Sequence, residues 1–375
     1  MHIRVLPVVS GTDLTHFIDL PWSLYSQTSH WVPSIRSEDR KLLQPGLHPF
    51  WEHAERKLFL VRRGERWIGR IAAIIDHAYN AYAGTRCGYF GFFECAEDRE
   101  AAHALLHAAA DWLTSRGIEY IRGPFNPSSN YTCGMLVDGF QEKPSLMMPW
   151  NPPYYPLLLE SWRAYKEQDL FCYRIRKDTC APKPAVLAAV RASLDQGLFT
   201  CRTASKATLA DDIRTMLSLY RSSWANNLFF TPLSAVEENT LVHELLPIVD
   251  TDFFVLFFHG EDAAGGMVAL PNLTPLLKKM NGSVGPALPW QYLTSRKAFQ
   301  RNYRIMLFGI LERYRLFGLP ALLFNYMIEA AKARPDLEWV EGSWVLEDNA
   351  PICSLIEDFS GEITMRYRIY RKELC

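Results

Sequence analysis

The chain has 375 residues, with 40 basic and 41 acidic side chains, a net charge of −1, 49% hydrophobic and 13% aromatic residues. That length exceeds what one hydrophobic core usually serves, so two domains are expected. Balanced charge excludes a general field that would steer the chain to nucleic acid or anionic lipid.

The first seventeen residues, MHIRVLPVVSGTDLTHF, lack the pattern of a secretory leader. Residues 12–25 are partly amphipathic and read as a helix. Leu58 to Asp76 and, later, Phe253 to Leu270 each read as two apolar strands around a polar turn, that is, as β-hairpins. The longest apolar runs, such as Phe253 to Phe258, are strand-sized and far short of a membrane span. A strand through Phe90 to Glu94 (FGFFE) is followed by a helical pattern from Arg99 to Arg116. Gly123 to Trp150, rich in Pro, Asn, Gly and Ser, reads as a long loop, as does Pro271 to Gln300. Leu157 to Lys177 carries a short helix, an acidic-aromatic turn and a strand. Lys177 to Pro184 (KDTCAPKP) has the composition of a linker, which places a domain boundary near residue 184. Asp211 to Ala225 and Ala235 to Val249 read as helices.

These elements recur in order. FGFFE matches FGILE at Phe308 to Glu312, the helix of residues 99–116 matches one at Pro320 to Ala333, and Leu157 to Lys177 matches Ser354 to Lys372, both ending in a strand containing Tyr-Arg-Ile. The chain therefore divides into residues 1–184 and 185–375, each expected to be an α/β (α+β) unit with a mixed, mostly antiparallel sheet flanked by helices. Eight cysteines stand singly, with no C-x-x-C pair. A reducing cytoplasm and no metal site are expected. His103 and His107, four apart on a helix, have no third ligand beside them and read as a partly exposed helix face. The Asn130 sequon matters only in a secreted chain.

Residues 309–323, GILERYRLFGLPALL, carry Arg315, Gly318 and Pro320 in the spacing R-x-x-G-x-(G/A) at the start of a helix. In this the second half resembles the GNAT superfamily of N-acetyltransferases, and the whole is similar to tandem GNAT proteins. Through GPFNPSSNYTCGMLVDGF and MPWNPPYY it resembles bacterial ceramide synthases, which are N-acyltransferases. The resemblance implies an acyl-CoA co-substrate, with pyrophosphate on helix N-terminal N–H groups around Arg313, Arg315, Gly318 and Leu319. Pro320 offers no N–H to this cradle. It implies pantetheine along the backbone of Phe308, Gly309, Ile310 and Leu311, and it matches Asn349 to the family asparagine. The family tyrosine seven residues later is Ile356 here, which leaves Tyr367, Cys353 or water as proton donor to the thiolate. A carboxylate must take the amine's proton; Glu341 and Glu347 are the candidates, with Ser343 on the face of Glu341.

In the first half the cofactor position reads ECAEDRE, residues 94–100, whose carboxylates would repel pyrophosphate. That half is expected not to bind CoA. The implied function is acyl transfer from CoA to a primary amine, with a long-chain sphingoid-type amine, a small amine or a peptide N-terminus as acceptor. An inactive protein that senses acyl-CoA or a metabolite is the alternative. Tyr154, Tyr155, Leu157, Phe229 and Phe230 read either as an acyl channel or as core.

Overall fold

The computed structural model describes residues 2–26, 28, 30–286, 288–290, 292 and 300–374. In chain order the first part forms β1 (Ile3–Pro7), α1 (Gly11–Leu24), α2 (Arg36–Leu43), β2 (Ala54–Arg63), β3 (Arg66–Asp76), α3 (His77–Ala83), β4 (Cys87–Cys95), α4 (Arg99–Thr114) and β5 (Tyr120–Gly123). Three short strands, β6 (Phe125–Asn126), β7 (Thr132–Cys133) and β8 (Met135–Asp138), precede α5 (Tyr154–Ser161) and β9 (Tyr165–Arg176). Then come α6 (Pro184–Asp195), β10 (Thr200–Thr203), α7 (Leu209–Trp224), α8 (Ala235–Leu245), β11 (Phe254–His259), β12 (Asp262–Pro271) and α9 (Thr274–Met280). The last part carries β13 (Asn302–Ile310), α10 (Leu319–Lys332), β14 (Trp339–Leu346), α11 (Ala350–Asp358) and β15 (Glu362–Glu373).

Two compact units result, and neither is contiguous in the chain. The first gathers Met1–Leu170, Thr274–Leu288 and Met365–Cys375; the second gathers Phe171–Leu273 and Pro289–Thr364. In the first unit the strand order is β1-β2-β3-β4-β5-β15. All of these pairs are antiparallel except β4 with β5. Helix α4 lies on β2 and β3 because Ala101, Ala102, Leu105, Leu106, Ala109 and Leu113, spaced three and four apart, are buried together. Each buried leucine contributes about 1.5–3 kcal/mol. Asp98 ends the preceding loop as the N-cap, accepting from Ala101 N at 3.1 Å. Residues of the second expected loop belong to this unit: Asn281 accepts from Trp22 Nε1 (3.0 Å) and from Arg36 Nη1 (2.9 Å). Residues 293–299 of that loop lie outside the described residues.

The second unit repeats the scheme, with β14-β13-β12-β11-β10 in order. Here β13 and β14 are the parallel pair, and the others are antiparallel. Helix α7 presses on β12 and β13 from one side, so closely that a Cβ on Gly309 would sit 3.0 Å from the Leu219 carbonyl. Helices α6, α10 and α11 bury Val186, Leu319, Leu323, Met327 and Ile356 in the core on the other side. The expected linker runs directly into α6, whose first residue, Pro184, has a fixed φ suited to a first helical turn.

Candidate active site

In the second unit β13 and β14 pair from Asn302 with Trp339 to Ile305 with Gly342, and the pairing ends there. Beyond that point the two strands form a fork, with Met306–Ile310 on one arm and Ser343–Leu346 on the other. Leu311 N donates to the Ala264 carbonyl at 3.0 Å, so Leu311 and Gly309 direct their backbone groups toward β12. By alternation, Phe308 and Ile310 direct theirs into the fork. Their carbonyls are engaged by the end of α7: Trp224 Nε1 donates to Phe308 O at 2.8 Å and Ser223 Oγ to Ile310 O at 2.9 Å. Neither α7 residue stood out in the sequence.

At the outer end of β13 the chain makes a short turn over Glu312–Tyr314 and enters α10 through Gly318, which sits in the left-handed region at φ 75°. A Cβ there would collide with the Ser193 hydroxyl, so both the backbone angle and the space select glycine. The amides of Leu319 and Ala321 open α10 with no helical carbonyl to pair with, and Pro320 offers none. Arg315 is exposed and donates to the Ser223 carbonyl at 3.0 Å. Arg313 is ion-paired with Asp262 at 3.2 Å.

Where the fork opens, a buried polar cluster sits on the sheet. Glu341 has no exposed surface and pairs with Arg174 at 3.1 Å. Ser343 Oγ donates to Glu341 Oε1 at 3.3 Å and accepts from Arg304 Nε at 2.8 Å. Arg304 Nη2 also donates to the Ser343 carbonyl at 3.2 Å. The guanidiniums of Arg174 and Arg304 are about as buried as the carboxylate, at 5% and 3% exposure. Arg304 stands opposite Glu341 in the β13–β14 register. Both arginines carry a sequence signal: each is the middle residue of a Tyr-Arg-Ile run inside an apolar strand, and a strand arginine in a core requires a partner.

The other expected residues lie elsewhere. Glu347 is half-buried in the turn after β14. Asn349 begins α11, its carbonyl accepting from Cys353 N at 3.0 Å and its side chain making no cap. Ile356 is core, against Gly342 and Gly361. Tyr367 belongs to the first unit, fully buried, with its hydroxyl donating to the Pro149 carbonyl at 3.1 Å. Cys353, half-buried, holds its proton because burial raises its pKa. Of the possible channel residues, Tyr155, Phe229 and Phe230 are core, whereas Leu157 is 64% exposed. His103 Nε2 meets Ser161 Oγ at 2.8 Å, and the described residues contain no metal-binding cluster.

The first unit has the same fork, since β4 and β5 pair only from Cys87 with Tyr120 to Tyr89 with Arg122. Its own chain fills it. The Phe125 carbonyl lies against Gly91, where a Cβ would collide with it, and Asn126 Oδ1 accepts from Phe92 N at 2.5 Å. At the helix start, the Asp98 carboxylate accepts from the amide of Ala101 and pairs with Arg63 at 2.8 Å. One sequence expectation needs correction: Glu94 does not face the helix entrance. It is held inside by the hydroxyls of Tyr25 and Tyr155, and burial raises its pKa.

No protein-family model matches the chain. It is 30% identical to the bacterial ceramide synthase of Caulobacter vibrioides, over 99% of this chain and 98% of that protein. The chain belongs to that family. It is also 28% identical to Protein YghO of Escherichia coli, over 98% of this chain and 94% of that one. Among solved structures, a tandem GNAT protein from the clavulanic acid biosynthesis pathway superposes with a TM-score of 0.56 at 12% identity, covering 100% and 99% of the two chains. The fold is therefore that of a tandem GNAT protein, and family membership makes the chain an N-acyltransferase.

Proposed function

We propose that the fork of the second unit binds acyl-CoA and that the chain transfers the acyl group to the primary amine of a long-chain, sphingoid-type acceptor. The observation that carries this reading is the succession of two features: a strand pair that parts after Ile305 and Gly342, and a left-handed Gly318 that starts α10 soon after the β13 arm of that opening. The near full-length similarity to a protein named a ceramide synthase supports the acceptor class.

The amides of Phe308 and Ile310 would donate to pantetheine carbonyls, while pantetheine N–H groups would share or displace the bonds of Trp224 and Ser223. Pyrophosphate would meet the amides of Leu319 and Ala321, with Arg315 and Arg313 supplying charge. In the reaction the amine nitrogen attacks the thioester carbon, forming C–N as C–S breaks. The amine's proton passes to Ser343 Oγ while the Ser343 proton passes to Glu341, and the departing thiolate takes a proton from water. Arg174 balances the Glu341 charge in a medium where an unpaired carboxylate would be costly. In the first unit we infer no CoA binding, because Phe125 and Asn126 take the place pantetheine would need.

Incubation with palmitoyl-CoA and a sphingoid base, followed by mass spectrometry, tests this. The N-acyl product is expected from the wild type, with at least a hundredfold less from Glu341→Gln. Product formation undiminished in Glu341→Gln would remove Glu341 from the mechanism, and absence of product from every acyl-CoA and amine pair would remove the function.

A further inference from the structure

A groove of about 490 Å³ opens on the first unit, away from either fork in sequence and in elements. It is lined by the turn between β1 and α1, the first turns of α1, the loop after α2 and Arg56 of β2. Val8, Val9, Leu14 and Leu47 make the walls apolar, and Gln44 and Arg56 are the main polar side chains. Val9 and Leu47 are 79% and 57% exposed, which is unusual for neighbouring aliphatic residues that share a concavity.

Arg56 is the unexplained group. It is half-buried, its Nε–H is shielded from solvent without an acceptor, and the ring of Trp51 lies 5.5 Å from the guanidinium carbon. Two carboxylates on adjoining elements are committed elsewhere. Asp13 accepts from the backbone of Val9 and Ser10, and Glu55 pairs with Arg116 and His77. Burial lowers the Arg56 pKa to about 10, the direction expected where no anion offsets desolvation. Partly buried charges are normally paired, and a guanidinium that lines a groove with no anion beside it is suited to a carboxylate.

We propose that this groove binds an alkyl carboxylate, with the carboxylate on Arg56 and the chain along Val8, Val9, Leu14 and Leu47. One cation beside the aliphatic side chains of Val8, Val9, Leu14 and Leu47 selects a monoanion with a tail over a small polyanion. The site is independent of the acyl-CoA reading, because none of its residues belongs to either fork.

Calorimetric titration of the full chain with decanoate, propanoate and decanol tests it. Decanoate is expected to bind at one site, at least tenfold tighter than the tailless acid or the uncharged tail. Arg56→Met, which keeps the stem and removes the charge, should lose that tenfold, and Arg56→Lys should retain part of it. Leu47→Glu, an exposed change that need not disturb folding, should weaken decanoate by a similar factor. Decanoate binding unchanged in both Arg56→Met and Leu47→Glu would place the ligand elsewhere and overturn the proposal, as would equal binding of propanoate or no binding at all.

Discussion

Replacing Gly318 by alanine tests the geometry of the α10 entrance. At φ 75° an L-residue costs roughly 1–2 kcal/mol relative to glycine. The new methyl would also displace the Ser193 hydroxyl, which now donates to Ala189 O at 2.9 Å and Phe317 O at 3.3 Å. Losing that bond costs about 1 kcal/mol, so Gly318→Ala should destabilise the second unit by about 2–3 kcal/mol in total. For a unit of this size that corresponds to a fall in Tm of roughly 4–12 °C. Ser193→Ala alone should cost about 1 kcal/mol. Because both changes act on the same hydroxyl, the double variant should be less destabilised than the sum by about 1 kcal/mol. Urea titration followed by tryptophan fluorescence measures all four corners of the cycle. Strict additivity, or a Gly318→Ala variant as stable as the wild type, would refute the collision and with it the reason for glycine at this position.

Arg174→Met leaves Glu341 buried without its counter-charge and should cost about 3–5 kcal/mol, read as a lowered urea midpoint; Arg174→Met with Glu341→Gln should recover much of it. Ser343→Ala should lower kcat with little change in KM for acyl-CoA, and an equal rise in KM would instead assign Ser343 to binding. Asn126→Ala strands the Phe92 amide inside the first unit and should cost about 1–3 kcal/mol, with acyl-CoA affinity unchanged in calorimetry. Glu94 has a folded pKa raised above its unfolded value of about 4.5, so its contribution is fully present below that pH and is lost as pH rises through the folded pKa. Stability measured upward from pH 4.5 should therefore fall in the wild type and fall less in Glu94→Gln.

Much of this architecture was legible because it rests on local patterns. The two hairpins follow from apolar runs broken by polar turns, and α4 and α10 from apolar spacing of three and four. Segments whose structure depends on tertiary context were not legible. Strand β10 has four exposed residues and no apolar alternation, yet it pairs with β11. Helix α6 begins inside a stretch whose prolines read as a linker, because proline at a first helical position looks the same in sequence as proline in a loop. At the site, Glu341 and Ser343 could be placed on one face by strand alternation, but the partners that fix them could not. Arg174 lies 167 residues from Glu341 in the chain, and no local rule joins them. Glu94 shows the converse: its acidic neighbours suggested a charged entrance, whereas Tyr25 and Tyr155, distant in sequence, turn it inward.

The central claim is that one fork of two binds acyl-CoA. Calorimetric titration of palmitoyl-CoA into the wild type and Arg315→Glu tests it most directly, since the substitution sets a carboxylate beside the proposed phosphate site. One molecule bound per chain, weakened at least tenfold by Arg315→Glu, is the predicted result. Two molecules per chain, or one whose affinity is indifferent to Arg315→Glu, would contradict the account.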